Sequence, residues 1–274
     1  MGKLNYFKNK PKATKIDVAS YLQRINEKRE EPSIAYLRRL HRSHLLHIPF
    51  ENLDIHYDRK IALDYKAVFR KVISGKRGGY CYELNGLFYH LLYHLGFDCR
   101  IISARVKNEA SGEFGKEYDH MALVITLSGE DYLADVGFGK GIIYPKKITP
   151  DVVQMDYTDY WKITKDADEN FLLQVSKDAQ SFSTRYLFSD QPKEIIQFHE
   201  MNEYQQTNPE STFVKKKVIS RLTESGRVTL SSNKFHELKL GVQAETNVGS
   251  EDEFLSLLEQ HFGITFRQLM PLKN

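Results

Sequence analysis

The spacing of apolar residues changes close to Gly96, and this change limits the folds that the chain can adopt. Up to that point apolar residues recur every three or four positions, which is typical of amphipathic helices. Beyond it, short runs rich in β-branched and aromatic residues are separated by turn residues, which indicates an antiparallel sheet or a small barrel. From about residue 191 the two patterns are mixed. We therefore expect a helical segment over 1–96, a β-rich segment over 97–190 and an α/β segment over 191–274, with boundaries defined only to within a few residues.

Four helices are predicted before the change of pattern. Their expected bounds are 16–28, 32–47, 64–75 and 80–96. Asp64 is expected to cap the third helix, and Gly96 is expected to end the fourth. In the second helix the residues expected to face the core are Ile34, Leu37, Leu40 and Leu45. Its three histidines lie among three arginines and are expected on a solvated face; they are His41, His44 and His47.

Strands are predicted from five runs in the middle of the chain. They are FDCRIISARVK, HMALVITLS, DYLADVGFG, DYWKITK and NFLLQVSK. The tetrapeptide SGED at 128–131 is a good hairpin turn between the second and third runs. In the last segment we expect a helix over 191–206, a hairpin around TESG, and a helix that begins with a capping box of Ser250 and Glu253.

Composition narrows the class of protein. The 274 residues are 41% hydrophobic and 27% charged, which is ordinary for a globular protein. A formal charge of +3 is small for a general nucleic-acid-binding protein. The sequence contains two cysteines, no run of about eighteen apolar residues and no signal-peptide pattern, so we expect a soluble cytoplasmic protein that binds no membrane. The sequence does not determine whether Cys81 and Cys99 form a disulfide.

Cys81 lies directly after Gly78-Gly79-Tyr80, where the fourth helix should begin. Unpaired backbone N–H groups and the positive end of the helix dipole favour an anion at such a position. A helix N-terminus and a neighbouring imidazolium are two environments that favour a thiolate over a thiol. The glycines would also let a substrate approach the sulfur. Cys81 is therefore a candidate nucleophile, and the alternative is a cysteine that only packs.

A cysteine nucleophile needs a base, and the base needs a group that orients it. His90 and His94 share the helix of Cys81, and they lie about 14 Å or more along its axis, out of reach. His120 begins an apolar strand, and Asp135 lies near the end of the next one. A flat hairpin centred on the Gly129–Glu130 bond would place Asp135 opposite Val124, about 13 Å from His120. Spacing alone thus identifies a nucleophile without its base.

Four segments, in order, resemble the arylamine N-acetyltransferases. They are IPFENLD, RGGYCYELNG, HMALVITLSGEDYLADVGFG and MNEYQQTNPESTF. The resemblance extends from about Tyr21 to Phe266. It implies a multi-domain α+β fold with an N-terminal helical bundle, a central antiparallel β-barrel and a C-terminal α/β lid, around a cysteine-protease-like Cys–His–Asp core. The implied triad is Cys81, His120 and Asp135, despite the gap in a flat hairpin.

The resemblance also implies an activity. Cys81 would take an acetyl group from acetyl-CoA and pass it to an arylamine, a hydrazine or an N-hydroxyarylamine, in a ping-pong reaction. Acetyl-CoA would be a co-substrate, with no permanently bound cofactor and no metal. Residues that match cofactor-binding positions are Gly137, Phe138, Gly139, Tyr204, Ser211 and Thr212. Phe50 and Phe138 match positions that line the aryl-acceptor pocket.

Further positions are interpreted with less support from the family. Arg77 is expected to pair with Glu51 or Asp54 and so to support the start of the Cys81 helix. Lys215, Lys216 and Lys217 either meet the phosphates of the donor or form a solvated face. Glu83 and Asn85 lie in the motif without an assignable role, and Asn85 could bond only to backbone. The end of the chain, MPLKN, indicates that the C-terminal tail of longer relatives is absent or different.

The sequence is also compatible with other functions. A related Cys–His–Asp enzyme could be an amide synthase or a thiol hydrolase. A binding protein with a structural Cys81 is a third hypothesis, and a metal site is the weakest, because no close Cys or His pair lies near Cys81. The oligomeric state and the physiological acceptor are not determined by the sequence.

Overall fold

The computed structural model describes residues 16–270, so the expectations about the first residues and the MPLKN tail lie largely outside it. The helices are α1 (Val18–Arg24), α2 (Ile34–His47), α3 (Leu53–His56), α4 (Tyr65–Phe69), α5 (Cys81–Leu95), α6 (His199–Thr207), α7 (Thr212–Lys215), α8 (Glu251–Phe262) and α9 (Phe266–Leu269). The strands are β1 (Phe50–Glu51), β2 (Asp98–Val106), β3 (His120–Leu127), β4 (Glu130–Ala134), β5 (Lys146–Lys147), β6 (Gln154–Asp156), β7 (Asp159–Lys165), β8 (Phe171–Ser176), β9 (Ser183–Phe188), β10 (Val218–Thr223), β11 (Gly226–Ser231), β12 (Lys234–Lys239) and β13 (Val242–Asn247). Within residues 16–270, no helix is both long and apolar enough to cross a bilayer.

Helix α5 is the central helix of the fold. Most of its side chains are buried, and it packs against β2, β3, α4 and α1. The Glu83 carboxylate accepts the backbone N–H of Tyr80 at 3.1 Å and so caps the start of the helix, and Gly96 ends it in the left-handed region, as expected. The α4 helix is capped by Asp64, also as expected, and continues into a π-helical turn over Arg70–Ser74.

The prediction for the buried face of α2 was correct for Leu37 and Leu40 but wrong for Ile34 and for two of the three histidines. Ile34 is exposed, whereas His41 and His44 are fully buried beside Leu37 and Leu40. Each ring forms at least one hydrogen bond there, although Nε2 of His44 has no partner among the described residues. The His44 Nδ1 lies 2.7 Å from the Tyr21 hydroxyl. The partners of His41 belong to the functional site.

The middle of the chain forms an antiparallel eight-stranded sheet in the order β5-β4-β3-β2-β9-β8-β7-β6. Its two edge strands come together, because the Gln154 side chain donates to the Lys147 carbonyl and accepts from the Lys147 N–H, both at 2.9 Å. The sheet is therefore a nearly closed barrel. The five predicted strands are present, and β5, β6 and β9 were not predicted.

A second antiparallel sheet has the order β1-β10-β11-β12-β13. Its first strand, Phe50–Glu51, comes from the helical part of the chain and pairs with Ser220 and Ile219. Helix α8 covers this sheet through a core that includes Leu230 and Phe254. The fold is thus α+β, with helices, a barrel and an α/β unit. The TESG hairpin and the helix after Ser250 are as predicted, whereas β12 and β13 were not predicted.

Candidate active site

Cys81 is the first residue of α5, and it lines a cleft of about 650 Å³ although only 3% of its surface is exposed. The cleft lies between the barrel and the segment that contains α6 and α7. No disulfide joins Cys81 to Cys99, and both side chains are buried. The sulfur is therefore in reach of a small molecule rather than committed to a crosslink.

The carboxylate of Asp135 lies next to the His120 ring, with 2.7 Å between Oδ2 and Nε2. The flat hairpin of the sequence analysis had the wrong register. Its loop is Ser128–Gly129, where both residues have positive φ as in a type I′ turn, and Leu123 pairs with Ala134. Extending this pairing by one residue places Asp135 opposite Ala122, two residues from His120. The gap of about 13 Å therefore does not exist.

The ring of His120 also forms a hydrogen bond with the Cys81 side chain. Because Nε2 faces Asp135, the Nδ1 atom is the one left for the sulfur. Burial alone disfavours a charged ring, but the Asp135 carboxylate and the hydrogen bonds outweigh it and raise the pKa of His120 to about 10. The ring is thus an imidazolium at neutral pH, with a proton on each nitrogen.

The Asp135 carboxylate is fully buried and accepts four hydrogen bonds. Besides His120, the donors are Asn85 Nδ2 at 2.9 Å, the Gly137 N–H at 3.0 Å and the Tyr186 hydroxyl at 3.1 Å. Burial would raise the pKa of Asp135, but the charged ring of His120 and these donors lower it below its usual value. The carboxylate therefore stays ionised, and each of its oxygens is held in a fixed direction.

Three residues around Asp135 were not assigned to the site by the sequence. Asn85 donates to the Asp135 carboxylate as well as to the Met121 carbonyl at 2.7 Å, and it accepts the Val136 N–H at 2.9 Å, so it bonds to more than backbone. Tyr186 lies on β9, an unpredicted strand, and its ring packs against His120 at 5.3 Å between centroids. His41 accepts the backbone N–H of Asp135. Only Asn85 carried a signal, its position in the quoted motif.

The glycines near Cys81 allow close packing of backbone. A Cβ on Gly137 would lie 2.7 Å from the Cys81 Cα. A Cβ on Gly78 would lie 2.0 Å from the Pro49 carbonyl oxygen. Gly79 accepts the Glu51 N–H at 2.8 Å. The Gly78-Gly79 pair thus brings the Pro49–Glu51 segment against the start of α5.

The residues expected to contact donor and acceptor line the same cleft as Cys81. They are Phe50, Gly137, Phe138, Gly139, Tyr204, Ser211 and Thr212, and His120 lines the cleft as well. The Phe138 ring packs edge-on against the His120 ring, with 5.2 Å between their centroids. The Phe213 ring, which the sequence did not assign to the site, has its centroid 6.1 Å from that of Phe50. The Ser211 hydroxyl already donates to Gln205 and caps α7, so it is occupied within the protein. The lining of the cleft therefore combines aromatic rings with glycine backbone.

The loop between β2 and β3 forms a wall of the cleft that the sequence did not predict. It contributes Lys107 and Lys116, and the Lys116 Nζ lies 4.6 Å from the centre of the Tyr204 ring. The basic run at 215–217 is placed elsewhere. None of its three lysines lines the cleft, Lys215 pairs with Glu210 at 2.8 Å, and Lys217 pairs with Glu251.

Arg77 lies behind the cleft and bonds to both expected partners. Its NH2 group is 2.8 Å from Glu51 Oε1 and 2.8 Å from Asp54 Oδ1. Lys71 joins the same buried network, at 2.9 Å from Asp54 and 2.9 Å from Glu83. This network ties the Phe50 segment to the first turn of α5 without contacting the cleft.

Comparison with known proteins shows the family to which this chain belongs. The N-acetyltransferase family model matches residues 33–270. Arylamine N-acetyltransferase 2 of Mus musculus is 27% identical, over 93% of this chain and 97% of its own length. The arylamine N-acetyltransferase of M. tuberculosis has a TM-score of 0.86 and 29% identity, over 93% of this chain and 96% of that one.

A further structural relative differs at the third triad position. The Bacillus cereus arylamine N-acetyltransferase, described as having a unique Cys-His-Glu catalytic triad, has a TM-score of 0.84 and 26% identity, over 92% of this chain and 100% of that one. In the present chain, the carboxylate beside His120 is an aspartate, Asp135. Since the family model covers most of its length and these likenesses extend over nearly all of it, the chain belongs to the arylamine N-acetyltransferase family.

Proposed function

We propose that this protein transfers an acetyl group from acetyl-CoA to an arylamine, a hydrazine or an N-hydroxyarylamine by way of an S-acetyl intermediate on Cys81. The observation that carries the proposal is the His120 ring, which bridges the Cys81 side chain and the Asp135 carboxylate beside an open cleft. Nucleophile, base and orienting group then stand in the order that acyl transfer requires.

In the first half-reaction, the Cys81 sulfur attacks the thioester carbonyl of acetyl-CoA, with its proton held by His120. The tetrahedral intermediate collapses by breaking the bond between the carbonyl carbon and the CoA sulfur, and the imidazolium supplies the proton to the departing thiol. In the second, the amine attacks the acetyl carbonyl on Cys81, and the now neutral His120 takes the proton that the amine loses. The bond between the acetyl carbon and the Cys81 sulfur breaks, and the sulfur leaves as a thiolate beside the imidazolium. Asp135 holds the ring in place and stabilises its positive charge whenever the ring is protonated.

The two substrates would use different sides of the cleft. The flat faces of Phe50 and Phe138 suit an aromatic amine. The backbone at Gly137 and Gly139 leaves room for the pantetheine arm of the donor. Its phosphates are anionic, and Lys107 and Lys116 are the cleft lysines that could pair with them. The two buried thiols, which form no disulfide, are consistent with a reducing compartment, and we place the protein in the cytoplasm.

The decisive experiment is intact-mass measurement after mixing with acetyl-CoA and no acceptor. We expect one acetyl adduct, its absence in Cys81→Ala, and its persistence in the matched control Cys99→Ala. Adding an arylamine should remove the adduct and yield the acetylated amine. An unchanged mass at neutral pH would overturn the proposal, and an adduct lost to water faster than to amines would favour a thiol hydrolase.

A further inference from the structure

His41 occupies a position that the reaction scheme does not use. It lies on α2, its side chain is fully buried, and both of its ring nitrogens bond to the segment that follows β4. Nε2 is 3.0 Å from the backbone nitrogen of Asp135, and Nδ1 is 2.8 Å from the carbonyl oxygen of Ile143. One side chain thus connects the two ends of the 135–143 segment, which contributes Phe138 to the cleft.

The protonation state of His41 follows from its partners. Burial lowers the pKa of His41 to about 4, so the ring is neutral at neutral pH and carries one proton. A backbone N–H can only donate, so Nε2 must be the unprotonated nitrogen. Nδ1 then carries the proton and donates to Ile143. The ring matches both partners with a single tautomer.

The backbone N–H of Asp135 donates to His41 instead of to a neighbouring strand. The β3–β4 ladder ends at the pair Leu123–Ala134, so the next N–H, that of Asp135, needs a partner outside the ladder. This N–H is buried, and a buried N–H without a partner is unfavourable. His41 therefore holds the backbone of Asp135 at the point where it leaves the strand, while Asn85, Gly137 and Tyr186 hold its carboxylate.

We propose that His41 is a positioning residue for the acetyl-transfer reaction, which sets the direction of the Asp135 carboxylate toward His120 by fixing the Asp135 backbone. This inference rests on the proposed function. His41 contacts neither Cys81 nor His120 in the hydrogen bonds of the site, so its effect passes through Asp135. It should change the rate at which Cys81 is acetylated more than the affinity for the donor.

The test measures the burst of p-nitrophenol from p-nitrophenyl acetate, which reports acetylation of Cys81 without a CoA site. His41→Leu removes both hydrogen bonds, His41→Gln keeps an acceptor toward Asp135, and His41→Asn keeps a donor toward Ile143. His44→Leu is the matched control, because His44 is equally buried on the same helix and also packs edge-on against Phe88, but bonds to Tyr21.

We expect the acetylation rate of folded His41→Leu to fall about tenfold or more at saturating ester, with the half-saturating concentration changed less than about twofold. His41→Gln should recover to within about threefold of the parent, and His44→Leu should stay within the same range. Equal losses in the two leucine variants, or no loss in His41→Leu, would overturn the inference. If His41→Leu does not fold, a His41→Asn variant as fast as His41→Gln overturns it, and a slower one supports it. Failure of the parent itself to be acetylated, by the ester or by acetyl-CoA, would count against the proposed function instead.

Discussion

Replacing Glu83 with glutamine tests how the buried charges beneath α5 are balanced. The Glu83 carboxylate is 2% exposed, lies 2.9 and 3.1 Å from Lys71 Nζ, and accepts the Tyr80 N–H at 3.1 Å. Burial, opposed by Lys71 and aided by two neighbouring carboxylates, raises the pKa of Glu83 to about 7. The folded protein therefore holds this proton more tightly than the unfolded chain, in which the pKa is about 4.5.

The sign and size of the effect follow from these two pKa values. Below about pH 4.5 the carboxyl is protonated in both states, and its contribution to stability is fully present. As pH rises through about 7, ionisation costs the folded state more than the unfolded state, and that contribution is lost. The cost is about 1 kcal/mol at about pH 5 and about 3 kcal/mol at about pH 8.5. Glutamine stays neutral, and its carbonyl oxygen can still accept the Tyr80 N–H.

We therefore expect Glu83→Gln to gain about 2 kcal/mol in the free energy of unfolding, relative to the parent, between about pH 5 and about pH 8.5. Urea denaturation at both pH values measures this difference. Glu130→Gln is the control, because the Glu130 side chain is 52% exposed and its pair with Lys147 should contribute less than about 1 kcal/mol at either pH. If Glu83→Gln loses stability relative to the parent as pH rises, attraction to Lys71 outweighs burial and the reasoning is wrong.

Three further predictions follow from the site and its supports. Asp135→Asn should slow acetylation of Cys81 by about 10²-fold or more in the burst assay, because the ring of the base loses its anionic partner; a loss below about threefold would contradict this role. Arg77→Met should lower the free energy of unfolding, measured by urea denaturation, by about 3–5 kcal/mol, because the buried carboxylates of Glu51 and Asp54 each lose a partner. A loss under about 1 kcal/mol would contradict this prediction. Gly137→Ala should lower both the melting temperature and the rate of acetylation in the burst assay, since its Cβ would lie 2.7 Å from the Cys81 Cα. Gly249→Ala, whose Cβ would lie 3.7 Å from its nearest neighbour, should change neither quantity.

The helices could be predicted because their signals are local. The Asp64 cap lies three residues from the N–H that it accepts, at 2.8 Å, and Gly96 takes its left-handed conformation within one turn of the helix it ends. The Ser250 cap is equally local, although the Glu253 carboxylate accepts the N–H of Gly249 rather than that of Ser250. The pairing of Phe50–Glu51 with β10 has no such signal, and the division of the chain into domains at 96 and 190 stays a prediction.

Buried polar residues could not be placed because the partners that explain their burial are distant in the sequence. A histidine on a helix is assigned to the surface unless a partner for it is known, and the partner of His41 is 94 positions away. Tyr186 was missed because it lies on an unpredicted strand, and its hydroxyl reaches Asp135 only after the barrel has formed. In both cases the sequence contains the residue but not the contact that explains it.

The distance between His120 and Asp135 depends on the length of one turn. A turn over SGED centred on the Gly129–Glu130 bond pairs Asp135 with Val124. A loop of only Ser128 and Gly129 moves that pairing by two residues, to Ala122. Side chains two residues apart on a strand share a face, so both registers aim Asp135 to the same side of the sheet as His120. Only the shorter loop makes them diagonal neighbours, within reach of a direct hydrogen bond. The hydrophobic pattern of the strands therefore could not distinguish a register in which Asp135 reaches His120 from one in which it does not, whereas the positive φ values of the two turn residues could.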